Sequence, residues 1–235
     1  MAVLGTYQTT LFAQGDPAVV ADTAVQRITL DECSWVDLSR NWLTGADALL
    51  DRLAHEIPWR GGRRPMYGRL VEEPRLHGRI DTEIPEHRDL LETMQDWLES
   101  RYGGEISPNF VNYYRDGSDS VAWHADRIGT HQIDPIVAIV SLGGPRRFGL
   151  RPMGGGESVR LTLGSGDLLV MGGACQHSWE HCVPKMADAA PRMSITMRHV
   201  ADGPGTGSGD DWWYRESSGR DHDPHAGQID DAALR

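Results

Sequence analysis

Long apolar runs are missing from this sequence, and none approaches the roughly 20 residues that a membrane-spanning helix requires. The first residues, MAVLGTYQTTLF, also lack the basic region and hydrophobic block of a secretory signal peptide. We therefore expect a cytoplasmic protein that has no membrane partner.

Cysteine is scarce. Cys33, Cys175 and Cys182 are the only three, no two of them form a CxxC pair, and their number is odd. A disulfide framework needs a larger and even set, so buried or weakly exposed thiols are expected instead. Cys182 follows His181 directly, and alternation along a strand would point these two side chains to opposite faces.

Positive charge is in deficit, with 23 Lys and Arg against 34 Asp and Glu and a formal net charge of −11. Nonspecific binding of nucleic acid depends on neutralising phosphates, so an acidic chain argues mildly against that function. The charge is uneven, however, because acidic residues concentrate in the C-terminal tail while arginines cluster in one earlier segment. A local basic face of this kind can still contact phosphate. The clustered arginines are Arg60, Arg63, Arg64, Arg69 and Arg75.

The length of 235 residues suits one sizeable domain, and a hydrophobic content of 39% is ordinary for a globular protein. From Ala201 onward the sequence ADGPGTGSGDD has the composition of a flexible linker, and an acidic tail follows it. Residues 1–200 are therefore predicted to form one domain, and residues 201–235 a Gly-rich linker and acidic tail. No internal repeat is visible.

Two helices are predicted before the middle of the chain. The segment LTGADALLDRLAHEI has apolar residues at helical spacing, with Thr44 and Asp47 as a variant capping box and Pro58 as the stop. The second helix runs from Pro85 to Tyr102 and ends before a Gly-Gly pair. Between them, WRGGRRPMYGRLVEEPRL is typical of a hairpin and loop, and on composition alone of a solvated basic loop.

Short β-rich runs separated by turn residues dominate the chain from Asn109 to Arg198. Eight strands at this spacing favour a double-sheet jelly roll, a barrel whose mouth can hold a metal. Further extended candidates are residues 6–13 and 24–30. The predicted fold class is α+β, mainly β, with a double-stranded β-helix (jelly-roll) core and two N-terminal helices packed on it.

A histidine and a carboxylate, His124 and Asp126, end the stretch NYYRDGSDSVAWHAD. Residues two apart on an extended segment project from the same face, so both side chains can converge on one point. Two histidines and one carboxylate leave open positions on Fe(II). His181 is favoured as the second histidine because its segment should re-enter the sheet, and His177 is the competitor. The alternative is that His124 and Asp126 form a hydrogen-bonded surface pair.

Arg192 and Arg198 are six positions apart, so on one regular strand they face the same side. Two buried guanidinium groups would each require an anion to offset their desolvation. A dicarboxylate co-substrate can supply one anion through bidentate bonds, and Asp126 can supply the other. The alternative is that one of the two is a surface arginine in an internal ion pair.

In this order and spacing, the sequence resembles the AlkB family of Fe(II)- and 2-oxoglutarate-dependent dioxygenases from about Met66 to Arg198. The family pattern N-x-Y, HxD, distal H and R-x5-R has a counterpart at every position. These counterparts are Asn112, Tyr114, His124, Asp126, His181, Arg192 and Arg198. The resemblance implies that His124, Asp126 and His181 ligate Fe(II). It also implies that Arg192, Asn112 and Tyr114 bind 2-oxoglutarate, and that Arg198 supports the site through polar contacts.

The arginine-rich loop is similar to the hairpin of the duplex-repairing branch of that family, which lies over the substrate as a lid. There an aromatic wedge fills the gap left by a flipped base and precedes a glycine and a basic residue. Tyr67, Gly68 and Arg69 take those places, and Arg75 follows at a matching distance. The alternative is that Tyr67 is an ordinary half-buried loop aromatic.

The sequence departs from that branch at three places. Arg127-Ile128 stand where acidic residues are usual, LHGRIDTEIPE lacks the expected aromatic pocket residues, and Ser194 replaces an asparagine. These changes affect base selection more than oxygen chemistry.

The function that the resemblance implies is direct-reversal repair of DNA. Fe(II), 2-oxoglutarate and O2 would oxidise N-methyl groups of bases such as 1-methyladenine and 3-methylcytosine. The expected partner is alkylated DNA, single- or double-stranded, or RNA, and the expected state is a monomer. One alternative is an oxygenase that acts on methylated RNA, a protein side chain or a small metabolite. Another is a binding module that has lost its chemistry.

Overall fold

The computed structural model describes residues 15–66, 69–72, 74–126 and 134–200, and of residues 63–66, 69–72 and 109 the backbone alone. The predictions for residues 6–13, 67–68, 127–128 and 201–235 fall outside these ranges. Within them the chain forms three helices and fifteen strands. The helices are α1 (Ala46–Glu56), α2 (Pro85–Tyr102) and α3 (Cys175–Ser178). The strands are β1 (Ala18–Val19), β2 (Gln26–Thr29), β3 (Ser34–Ser39), β4 (Leu43–Thr44), β5 (Arg63–Met66), β6 (Arg69–Glu72), β7 (Leu76–Gly78), β8 (Ile106–Tyr114), β9 (Val121–His124), β10 (Val137–Gly143), β11 (Arg146–Pro152), β12 (Val159–Leu163), β13 (Leu168–Gly173), β14 (Trp179–Val183) and β15 (Arg192–His199).

Two antiparallel sheets carry the fold. The larger sheet has the strand order β2-β3-β13-β10-β15-β8-β7, and the smaller one has the order β12-β11-β14-β9. From β8 onward the chain passes repeatedly from one sheet to the other, and β11 and β12 form a hairpin within the smaller sheet. This connectivity is consistent with the jelly-roll core that the sequence predicts, because eight strands follow residue 105 as expected.

Apolar side chains from both sheets meet in the space between them. This inner core combines larger-sheet residues such as Val137, Ile139 and Met171 with Phe148 and Leu150 of the smaller sheet. A second core fills the opposite side of the larger sheet, where α1 contacts β10 and α2 contacts β8. The larger sheet is therefore buried on both faces, which explains why its central strands are apolar without strict alternation.

The last strand, β15, shows which residues enter the space between the sheets. Met193, Ile195 and Met197 belong to the core on the helix side. Because strand residues alternate between faces, Arg192 and Arg198 project from the other side, toward the smaller sheet. The two arginines therefore share one face, as their even spacing in the sequence predicts.

The start of α1 differs from the predicted capping box. Gly45 precedes the helix in the left-handed region with φ 62°, and no side chain caps it. A Cβ at Gly45 would lie 2.6 Å from the backbone of Asp16, so glycine suits the close approach of these two segments. The Thr44 hydroxyl donates instead to the Ala18 carbonyl at 3.1 Å, and Asp47 accepts a hydrogen bond from the Ser165 hydroxyl.

Three further features concern the predicted elements. All three cysteines are free, with Cys33 exposed and Cys175 and Cys182 buried. β5 and β6 pair as a two-stranded hairpin, with Arg63 opposite Glu72. The role of this hairpin as a lid over the substrate remains a prediction. No helix in the described part of the chain is long and apolar enough to cross a membrane.

Candidate metal centre

Strand pairing brings two histidines together at one end of the smaller sheet. His124 ends β9 and lies directly opposite His181 on β14, with ring centroids 4.2 Å apart. Asp126 follows two residues after His124. One ligand atom from each of the three side chains lies within 4.8 Å of the other two. Two imidazoles and a carboxylate at this spacing can hold one metal ion on one side and leave further coordination positions open.

The tautomer of His124 is set by its own strand. Its Nδ1 lies 2.9 Å from the Ala122 carbonyl oxygen, which can only accept a hydrogen bond. The contact therefore favours the tautomer with the proton on Nδ1, which leaves Nε2, 3.8 Å from Oδ1 of Asp126, as the nitrogen that faces a metal. A backbone carbonyl that orients a histidine in this way is usual beside metals.

His181 is buried and neutral. The ring of Phe148 stacks on it with centroids 5.5 Å apart and an interplanar angle of 18°. Burial lowers the pKa of His181 to about 3, although the charge of Asp126 opposes that effect. The imidazole is therefore unprotonated at neutral pH, which is the form that binds a metal.

Asp126 is held from two sides. Its backbone N–H donates to Oε1 of Gln176 at 3.0 Å, and Arg198 donates to both of its carboxylate oxygens. Burial alone would raise the pKa of Asp126, but the Arg198 guanidinium, with smaller contributions from the two histidines, holds it well below its usual range. The carboxylate is therefore ionised at neutral pH.

Arg192 presents an unsatisfied donor in the barrel interior. The side chain is 1% exposed, and its Nε donates to the Ser141 hydroxyl at 3.1 Å. Its Nη1 is buried and has no hydrogen-bond partner among the described residues. Burial lowers the pKa of Arg192 to about 10, so the group is still charged at neutral pH. A buried, partly unpaired guanidinium fits a carboxylate ligand, because an anion would satisfy both its charge and its free N–H group.

Asn112 and Tyr114 lie beside this arginine on β8. Tyr114 is the cross-strand partner of Arg192, and Asn112 is that of Ser194. The Arg192 guanidinium carbon is 5.3 Å from the centroid of the Tyr114 ring. The structure therefore gathers the residues of the N-x-Y and R-x5-R patterns on two adjacent strands of the larger sheet.

Two residues near this site are not identified by the sequence patterns. Arg146, at the start of β11, is 1% exposed, and its guanidinium carbon is 5.6 Å from the Tyr114 ring centroid. Alternation with the inward-facing Phe148 would have placed Arg146 inside the barrel. His77 lies 3.1 Å, through Nδ1, from Oδ1 of Asn112. Its strand, β7, has three residues, too few for a recognisable pattern.

The remaining predicted residues are more dispersed. His177, the competitor of His181, is exposed on α3 and lies outside the group of three ligands. Arg75 is half-buried, and its charge contributes to lowering the pKa of His181. Arg69 lies on β6, where the backbone alone is described, and Tyr67 and Gly68 lie outside the described residues.

Comparison with known proteins agrees with this site. The 2OG-Fe(II) oxygenase superfamily matches residues 77–198. The alpha-ketoglutarate-dependent dioxygenase alkB homolog 3 of Rattus norvegicus is 32% identical over 215 residues. The match covers 81% of this chain and 70% of that protein. Its Homo sapiens counterpart is 31% identical over 206 residues. That match covers 79% of this chain and 70% of that protein.

A second kind of relative is the DNA oxidative demethylase ALKBH2 of Arabidopsis thaliana, which is 29% identical over 193 residues. The match covers 64% of this chain and 60% of that protein. The chain therefore belongs to the AlkB family within the 2OG-Fe(II) oxygenase superfamily, and its cofactors are Fe(II), 2-oxoglutarate and O2.

Proposed function

We propose that this dioxygenase oxidatively demethylates N-alkylated bases in DNA, with 1-methyladenine and 3-methylcytosine as substrates, and so repairs them by direct reversal. The observation that carries the oxygenase part of the proposal is the unpaired Nη1 of buried Arg192 in the same barrel as the His124–Asp126–His181 group. The relatives support the choice of substrate, because one group of them is named DNA oxidative demethylase.

Each residue has a proposed role. His124, Asp126 and His181 hold the iron, and Arg198 orients Asp126 and keeps it ionised. Arg192 binds one carboxylate of 2-oxoglutarate, and the side chains of Asn112 and Tyr114 hydrogen-bond to the same molecule. Tyr67, Gly68, Arg69 and Arg75 are proposed to contact the nucleic acid.

Fe(II) held by His124, Asp126 and His181 would, together with 2-oxoglutarate and O2, supply the chemistry that converts the N-methyl group to N-hydroxymethyl, with succinate and CO2 as the other products. The bond between the ring nitrogen and the hydroxymethyl carbon then breaks, its electron pair stays on the nitrogen, the hydroxyl proton passes to water, and formaldehyde leaves, which restores the unmodified base. The protein positions these reactants between the two sheets, where apolar neighbours such as Phe148 and Ile139 exclude water.

The test is formaldehyde release from oligonucleotides that contain 1-methyladenine or 3-methylcytosine, with iron, ascorbate and 2-oxoglutarate present. Wild type should release it, H124A should not, and H177A should behave as wild type because His177 is exposed outside the ligand group. No release from any methylated DNA, single- or double-stranded, would reject the proposal.

The alternative substrate is methylated RNA, a protein side chain or a small metabolite. The net charge of −11 favours a protein side chain or a small metabolite over either nucleic acid, since an acidic chain repels phosphate. Turnover of methylated DNA, RNA and peptide of matched length distinguishes the two proposals. A larger kcat/KM on RNA or peptide would support the alternative. We also propose that the enzyme acts as a monomer, which size-exclusion chromatography with light scattering tests.

A further inference from the structure

The smaller sheet has an outward face that the metal centre does not use. Along β11, Phe148 and Leu150 belong to the inner core. Because strand residues alternate, Arg147, Gly149 and Arg151 project from the opposite face, away from the barrel. Arg147 is exposed accordingly, and Arg151 keeps 31% of its side-chain surface.

Gly149 lets an aromatic ring cross this face. A Cβ at Gly149 would lie 2.8 Å from Cη2 of Trp123 and 3.0 Å from Sγ of Cys182. The indole of Trp123 therefore extends from β9 across β14 to β11 only because position 149 has no side chain. The guanidinium carbon of Arg151 lies 4.3 Å from the centroid of the Trp123 ring, within cation–π distance.

The charge of this face is opposite to that of the chain. Arg160, exposed on β12, is the cross-strand partner of Gly149, so it joins Arg147 and Arg151 around that glycine. Among the described outward-facing residues of these four strands, Glu180 is the only acid, and it accepts hydrogen bonds from Arg151 at 3.0 and 2.8 Å. Three arginines against one glutamate make the face basic on a chain whose net charge is −11.

The face is also next to the metal centre. Trp123 immediately precedes His124, and Glu180 and Cys182 flank His181. The strand that carries Trp123, β9, is the edge of the smaller sheet. A polymer whose target group enters the barrel can therefore continue around this edge and onto the outward face.

We propose that the Trp123 face, defined as Trp123, Arg147, Arg151 and Arg160, binds single-stranded nucleic acid next to the target base; this inference rests on the proposed function. The Arg151 guanidinium, held over the Trp123 ring, stacks on a base, and Arg147 and Arg160 neutralise phosphates. Aromatic rings beside cationic groups form the usual platform for single strands, because every base has a π-face and every linkage a charge.

The test is binding of an unmodified, fluorescently labelled 20-nucleotide single-stranded DNA, followed by anisotropy. R147Q/R160Q should raise Kd about tenfold and reduce the slope of log K against log salt by about 1.4. The matched control R52Q/R88Q removes two arginines from α1 and α2, which cover the larger sheet, and should leave both quantities unchanged. W123L should weaken binding about tenfold, because Arg151 loses the ring that holds its guanidinium in place.

Arg147 and Arg160 are exposed, so R147Q/R160Q should fold even if W123L does not, as circular dichroism checks. Equal Kd values for R147Q/R160Q and R52Q/R88Q would overturn the inference. So would tighter binding of a poly-glutamate peptide than of the DNA, which would assign the face to an acidic protein segment.

The inference and the proposed function fail separately. One outcome is that wild type releases formaldehyde from methylated DNA while R147Q/R160Q leaves one ratio unchanged, namely kcat/KM on a 20-mer divided by kcat/KM on a trinucleotide. In that case only the inference about the Trp123 face is overturned. If no methylated DNA is turned over, the proposed function falls, and anisotropy with unmodified DNA still decides the Trp123 face.

Discussion

Arg198 donates to both carboxylate oxygens of Asp126, from Nη2 to Oδ1 at 3.1 Å and from Nε to Oδ2 at 3.3 Å. A fork of this kind fixes the plane of the carboxylate as well as its charge. Arg198 lies at the end of β15, in the larger sheet, and Asp126 follows β9 of the smaller one. The pair therefore links the two sheets at the mouth of the barrel and points one metal ligand toward the two histidines.

Replacing Arg198 should weaken metal binding without emptying the site. R198M removes both hydrogen bonds, so Asp126 loses its orientation, and we expect the affinity for Fe(II) to fall about 10- to 100-fold. Titration of the metal-free protein with Co(II), a spectroscopic substitute for Fe(II), measures the change. R88M, an exposed arginine on α2, is the control, and equal affinities for R198M and R88M would contradict the role of Arg198.

Replacing Arg192 should separate co-substrate binding from folding. R192M removes the guanidinium that is proposed to bind 2-oxoglutarate, so the KM for 2-oxoglutarate should rise at least about 100-fold. It also removes a buried charge that is only partly paired, so the free energy of unfolding should change by less than about 1.5 kcal/mol.

Thermal unfolding with and without 2-oxoglutarate and Co(II) measures both the stability of the protein and its binding of 2-oxoglutarate. Wild type should gain Tm from the diacid, and R192M should not. Loss of stability without loss of 2-oxoglutarate binding would show that Arg192 is structural.

Much of the metal centre is local in sequence, and that part was predictable. Strand alternation predicts that His124 and Asp126 converge, although β9 ends at His124 and Asp126 follows it. The choice of His181 over His177 depends on the pairing of β14 with β9, a contact between residues that are distant in sequence. Even spacing predicts a shared face for Arg192 and Arg198, but the direction of that face depends on the packing of Met193, Ile195 and Met197 in the core beside the helices.

The missed elements have physical reasons of their own. Strand β3 lies between β2 and β13 and is buried along most of its length, so SWVDLS has no clear alternation. The first turn of α1 was assigned to Thr44 because its hydroxyl can cap a helix. In the structure Gly45 takes that place, because the chain from residue 15 passes too close for a side chain. Such approaches between distant segments leave no mark on local periodicity.

Stability of the metal-free protein should fall with acid through His181. Its folded pKa is about 3 against an ordinary value of 6.5, so between these values the unfolded state binds more protons, and the free energy of unfolding decreases as pH falls. One such proton corresponds to a slope of up to about 1.4 kcal/mol per pH unit. The depressed pKa of Asp126 acts in the same direction below its ordinary value of 3.8.

Urea unfolding at pH 7, 6 and 5 measures the slope. H181Q, which cannot titrate, should lose less stability from pH 7 to pH 5 than wild type, by about 2 kcal/mol. H177Q should follow wild type, because His177 is exposed. Parallel curves for wild type and H181Q would contradict the buried, neutral state of His181.

Two consecutive arginines on β11 should differ sharply in their contribution to stability. The buried Arg146 donates to the backbone carbonyls of Asp116, Asp119 and Pro184, and so holds the β8–β9 turn against the segment after β14. R146Q should lower the free energy of unfolding by about 3 kcal/mol, because it leaves those carbonyls without their donor.

Its neighbour Arg147 is exposed on the outward face, so R147Q should stay within about 0.5 kcal/mol of wild type. Urea unfolding of the two variants provides the comparison, and similar losses would mean that the carbonyls find other donors. The R146Q variant should also show faster amide hydrogen exchange in residues 116–119 than R147Q, because that turn loses its main attachment to the barrel.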